Sequence, residues 1–171
     1  MSRAIAAVDS LDRGRTGISV ALDRVNAAGA LIEMTATSAA ASGFFMVARA
    51  VQQVAEAVRG IHSLLEAARG SANEAYVAAS EVSDEATPEL VISALTRAMH
   101  HHEAAHRATM AAVGAVVDAA GLAQRVLQGA DPGALIQTLG SINEVLLQLA
   151  QLTARQELTE SISRAQKIAH H

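Results

Sequence analysis

From Ala4 to Gly43 the apolar residues return in alternating steps of four and three. Positions 4, 8, 11, 15, 18, 22, 25, 29, 32, 36, 39 and 43 hold Ala, Val, Leu, Arg, Ile, Leu, Val, Gly, Ile, Ala, Ala and Gly, with Arg15 as the single polar entry. Steps of four and three keep side chains on one stripe of an α-helix that lies against another helix. A strand would scatter the same residues over both of its faces, because its side chains alternate at every position.

The pattern recurs along the chain. Positions 44, 47, 51, 54, 58, 61, 65 and 68 hold Phe, Val, Val, Val, Val, Ile, Leu and Ala, and the phase continues through Ala72, Ala75, Ala79 and Val82. Gly14 and Gly17 are expected to loosen or break the first helix. Gly70 is expected to interrupt the second, with Ser71 and Glu74 at capping-box spacing to restart it. In SDEATPEL, Thr87 can cap, Pro88 suits the first helical position and Glu89 complements the positive end of the helix dipole. A third helix is predicted from about 88 to 128, with Val91, Leu95, Ala98, His102, Ala105, Thr109, Ala112, Val116, Ala119, Ala123 and Val126 along one edge. QGADPG at 128–133 repeats the punctuation, with Gly129 as stop, Asp131 as cap and Pro132 as restart. The last helix carries Leu135, Leu139, Ile142, Leu146 and Leu149, slips phase near 153 and resumes at Leu158, Ile162 and Ala165.

Composition decides how such helices pack. Half of the chain is apolar (51%), but aromatics make up 2%, limited to Phe44, Phe45 and Tyr76. A core of alanine and short aliphatics requires close backbones, which helices tolerate well. The expected fold is all-α, an elongated antiparallel four-helix bundle with coiled-coil-like packing. It is read as one domain over 1–171, made of two long hairpins at about 1–86 and 87–169. Helices of about 35–40 residues would make a rod of about 50–60 Å. Its large side surface points to a homodimer or a helical protein partner.

The net charge of −4 and the scattering of 13 basic residues disfavour nucleic acid as a partner. Cys is absent, which fits a reducing cytoplasm. The N-terminal MSRAIAAVDSLDR is too charged for a secretory signal, although export without a classical signal stays open. The most apolar run, 111–123, carries Asp118 and is too short for a membrane span. One Lys against twelve Arg suggests a GC-rich genome.

SGFFMVARAVQQVAEAVRGI and VLQGADPGALIQTLGSINEVLLQL resemble an actinobacterial family of Ala-rich helical proteins known only as a domain of unknown function. The shared features are the Gly43-Phe44 entry to the second helix and the Leu127, Gln128, Gly129, Pro132 hinge. The resemblance implies no activity, cofactor or site residue. In outline the hairpins are also similar to small substrates and accessory proteins of type VII secretion. The chain has no Trp-x-Gly turn, and Tyr76 is followed four residues later by Ser80 where that export pattern has an acid.

The one stretch with metal chemistry in its letters is MHHHEAAH, in which His102-Glu103-Ala104-Ala105-His106 matches His-Glu-x-x-His. Residues four apart share a helix face, so His102 and His106 can reach one metal. A zinc peptidase needs a third ligand and a substrate groove, commonly edged by a strand, and no strand is expected. A di-iron carboxylate bundle would need a second Glu-x-x-His, which is missing. HHHEAAHRA also resembles the His-rich helix of DinB-type bundles, which hold a divalent metal through three histidines from two helices. That resemblance implies His62 as third ligand beside His102 and His106, with Zn as one such metal. The simpler reading is that His102 and His106 pack as neutral rings on an Ala-lined seam. His170 and His171, at the chain's end, read as a tag remnant and are left out of every candidate site. With no nucleophile-base set, no catalytic or cofactor-binding residue is assigned. A noncatalytic, self-associating interaction or scaffold protein is the first reading, ahead of a metal-binding bundle and of a type VII-like secreted or accessory protein.

Overall fold

The computed structural model describes residues 2–41, 43, 45–83, 85–127 and 133–170, with backbone alone for 2–5. It contains α1 (Ser2–Ala41), α2 (Phe45–Ser80), α3 (Pro88–Val126), α4 (Gly133–Ala150) and α5 (Ala154–Ala169). No strand occurs among the described residues, and no helix is long and apolar enough to cross a membrane. α4 and α5 follow one another along the same side and together make the fourth rod. Each rod packs on two neighbours, α1 and α3 on α2 and on the α4–α5 rod, so the bundle is a square with α1 and α3 on a diagonal.

Heptad positions supply the core as expected. Val51, Val54, Val58, Ile61, Leu65, Ala68, Ala72, Ala75 and Ala79 of α2 are buried, as are Leu95, Ala98, Ala105, Thr109, Ala112, Val116, Ala119 and Ala123 of α3. Thr87 caps α3 by accepting from the Leu90 N–H at 3.3 Å, and Pro88 follows it. Arg15, the polar entry on the α1 stripe, is half-buried; its guanidinium lies 3.7 Å from the centre of the Tyr76 ring and its Nε donates to Asp12 at 2.7 Å. The expected hinge at 128–132 lies outside the described residues, as does Phe44; Gly43 turns the chain with φ +75°.

Two expectations fail. α1 runs unbroken through Gly14 and Gly17, and α2 runs unbroken through Gly70. Each glycine is flanked by enough helix on both sides that one residue of low propensity, at about 1 kcal/mol, cannot end it. Gly14 and Gly17 instead let the fourth rod come close. A methyl on Gly14 would stand 3.6 Å from Leu152 Cδ1, and one on Gly17 would overlap Leu149 Cδ2 and sit 3.1 Å from its Cγ.

Cross-helix contacts set the axial register. Arg24 donates to the Ser141 carbonyl and hydroxyl at 3.1 and 2.6 Å, and Ser10 donates to Glu157 at 2.8 Å. Glu74 meets His101 at 3.1 Å and Glu81 meets Arg97 at 2.9 Å. In this register Gly133 is level with about residue 33 of α1, and Leu127 with about residue 50 of α2. The α1–α2 tip therefore extends roughly 12 Å beyond the start of α4, from eight residues at 1.5 Å each.

Candidate functional site

The phase slip near 153 is a physical break. Gln151 and Leu152 N–H groups bond to the carbonyls of Gln148 and Leu149 at 3.2 Å, tightening the end of α4, and the Glu157 N–H to Thr153 carbonyl bond at 3.0 Å opens α5. The break inserts one residue into the repeat, so that Ala154, Leu158, Ser161 and Ala165 become the buried positions of α5. Thr153 donates to one oxygen of Glu157 at 2.6 Å while the buried Ser10 donates to the other, clamping the first turn of α5 to α1.

Opposite this break lies the histidine stretch of α3. The apolar interior divides there. One cluster holds Ile18, Leu65, Leu139, Ile142 and Leu146 among others, and the second is smaller, with Leu11, Leu95 and Leu158 as its large members. At the edge of the larger cluster the layer is built of small residues, Gly14, Ala72 and Ala105, and His102 lines a cavity of about 40 Å³ there. An open cleft of about 500 Å³ continues from the same two histidines, walled by Leu149, Ala150 and Leu152 on one side and carrying Glu103, Arg107 and Arg155.

His102 is half-buried and His106 exposed, so only the first packs against the seam as the sequence suggested. Burial holds the His102 imidazole below its ordinary pKa of 6.5; His106 pushes the same way, Glu103 opposes and Arg155 adds a small downward push. Glu103 does not pair with Arg107 along its own helix but reaches Arg155 of α5 at 3.7 Å. His101 turns away to Glu74, and its ring meets His100 edge-on with centroids 5.8 Å apart.

His62 is elsewhere. Its Nε2 lies 3.8 Å from Glu66 on its own helix. By the α2–α3 register it is level with about residue 115, roughly 20 Å along the bundle from His102. Among the described residues no group of three or more His, Asp or Glu side chains could hold a metal ion. The structure thus brings His102 and His106 to one cleft and does not bring His62 to them. In the sequence Arg107 reads only as an i,i+4 partner of Glu103 on a solvated face and Arg155 gives no signal, so the traces of the cleft are the histidine pair and the phase slip.

A pH effect follows from His102. A group whose folded pKa is depressed binds fewer protons folded than unfolded near its ordinary value, so stability rises with pH there. Unfolding free energy should fall on acidification from about pH 7.5 to pH 6, through the unfolded value near 6.5. Chemical denaturation at several pH values should show this slope, and His102→Leu should flatten it. An unchanged slope in the variant removes His102 as the cause.

Residues 86–170, just under half of the chain, match the model of a family of unknown function (DUF6244). The match takes in α3, α4 and α5, including both sides of the cleft, and leaves α1 and α2 outside. No curated protein and no solved structure matches the chain.

Proposed function

We propose that this chain is a noncatalytic helical interaction protein that pairs with a second copy of itself through the α1–α2 tip. The observation that carries this reading is the exposure of large apolar side chains there: Met34 is 68% exposed, Phe45 79% and Met46 88%. In a chain with three aromatic residues, leaving one of them in water at the end of the rod favours an interface over a core role. From residue 34 to 48 there is no charge, so nothing in the tip selects an oppositely charged partner. Glu33 and Arg49, both exposed, bound this stretch with opposite signs. Two copies related by a two-fold axis can then meet apolar against apolar with complementary charges at the edges.

Analytical ultracentrifugation tests the reading. The expected result is a dimer at sub-millimolar concentration that becomes a monomer when Phe45→Ser and Met46→Ser are combined. Because both side chains are already exposed within one chain, the variant should keep its helix content and thermal midpoint. A wild-type monomer at all accessible concentrations, or a dimer untouched by the double substitution, would overturn it.

A further inference from the structure

We propose that the cleft between α3 and the α4–α5 break binds a small organic phosphate. The cleft is far from the tip, so this site is independent of the self-association reading. Its volume of about 500 Å³ is that of a small-molecule site rather than of a single ion. Its walls differ in kind. Leu149, Ala150 and Leu152 give an apolar side for the body of a ligand, and His102, His106, Arg107 and Arg155 give donors for an oxyanion.

The charge balance selects an anion. In a chain of net charge −4, this cleft gathers two guanidiniums against one carboxylate. That carboxylate, Glu103, sits 3.7 Å from Arg155, outside hydrogen-bond range, so the pair is loose. Arg107 has no acidic partner among the described residues. A cation without a partner on the wall of a concave site focuses potential onto whatever enters it. Guanidiniums on two different helices can meet a tetrahedral phosphate from two directions with paired N–H groups, which a single carboxylate ligand would use less fully. Two arginines suit one phosphate group; a nucleic-acid backbone would need a longer basic track.

Isothermal titration of the full chain with ribose 5-phosphate, inorganic phosphate and ribose tests this in low salt. Saturable one-to-one binding of ribose 5-phosphate is expected, with inorganic phosphate weaker and ribose silent. Arg107→Ala and Arg155→Ala should each weaken binding by about tenfold or more, the usual loss for a hydrogen bond to a charged group. Glu103→Gln should tighten it, by removing the only negative charge among the described residues of the cleft. That sign separates a site from general surface charge, and because all three side chains are partly or fully exposed, melting curves should be unchanged. The proposal is overturned by the absence of saturable binding of either phosphate, by affinity indifferent to both arginines, or by weaker binding in Glu103→Gln. Equal affinity for ribose and ribose 5-phosphate would overturn the phosphate class as well.

Discussion

Replacing Gly29, Gly60, Gly70, Gly114 and Gly140 together by alanine should raise the unfolding free energy by about 2.5–5 kcal/mol, at 0.5–1 kcal/mol per site. All five lie inside helices, and a methyl built on any of them meets nothing within 4 Å. The gain comes mainly from the unfolded chain, which loses backbone freedom it would otherwise have to give up on folding. None of the five methyls would meet a neighbouring side chain, so their effects should add. Urea titration of the single and fivefold variants checks both the size and the additivity. Gly17 is the control with the opposite expectation. There a methyl would overlap Leu149, so Gly17→Ala should lose the benefit that the other five show. In a Leu149→Ala background the same change should recover it. If Gly17→Ala stabilises the wild-type chain as much as Gly60→Ala does, the close approach of α1 to the fourth rod is not what holds Gly17 in place.

Leu158→Ala should cost about 2–5 kcal/mol, the range for removing a fully buried leucine. Leu158 is completely buried in the smaller apolar cluster, whose other members are mostly alanine, with Leu11 and Leu95 as the remaining large side chains. Alanine neighbours on helical backbones have little side chain with which to close a cavity, which favours the upper part of that range. The effect should also be local. α5 has 16 residues, marginal for an isolated helix in water, and it depends on burying Ala154, Leu158, Ser161 and Ala165. Hydrogen exchange should therefore show α5 amides opening well before those of α2 from Val51 to Ala72 and of the C-terminal half of α3, which belong to the larger cluster. Uniform loss of protection would mean that the two clusters melt as one unit.

The helices were legible because their evidence is local. The four-three stripes name most of the residues that become buried, although Ser161 takes the buried place expected of Ile162; Thr87-Pro88 names where α3 begins, and the slip near 153 names where the fourth rod breaks. Helix propensity alone points to breaks at the glycines because it carries no information on packing. At Gly17 the absence of a side chain reflects Leu149 on another helix, which nothing near residue 17 records. The histidines were half legible. Their spacing correctly put His102 and His106 at one place, but joining His62 to them required the level of one helix against another.

By itself the sequence determines an all-helical chain, the faces its helices bury and most of their ends, because periodicity and capping act over one or two turns. Tertiary structure decides the rest: the exposure of Met34, Phe45 and Met46 at the α1–α2 end, the meeting of Arg155 with Glu103, and the separation of His62 from His102. All of these depend on axial register between antiparallel rods. A heptad repeat is nearly unchanged by sliding one turn along its neighbour, so the register comes from loop length and from single cross-helix contacts such as Arg24–Ser141 and Ser10–Glu157.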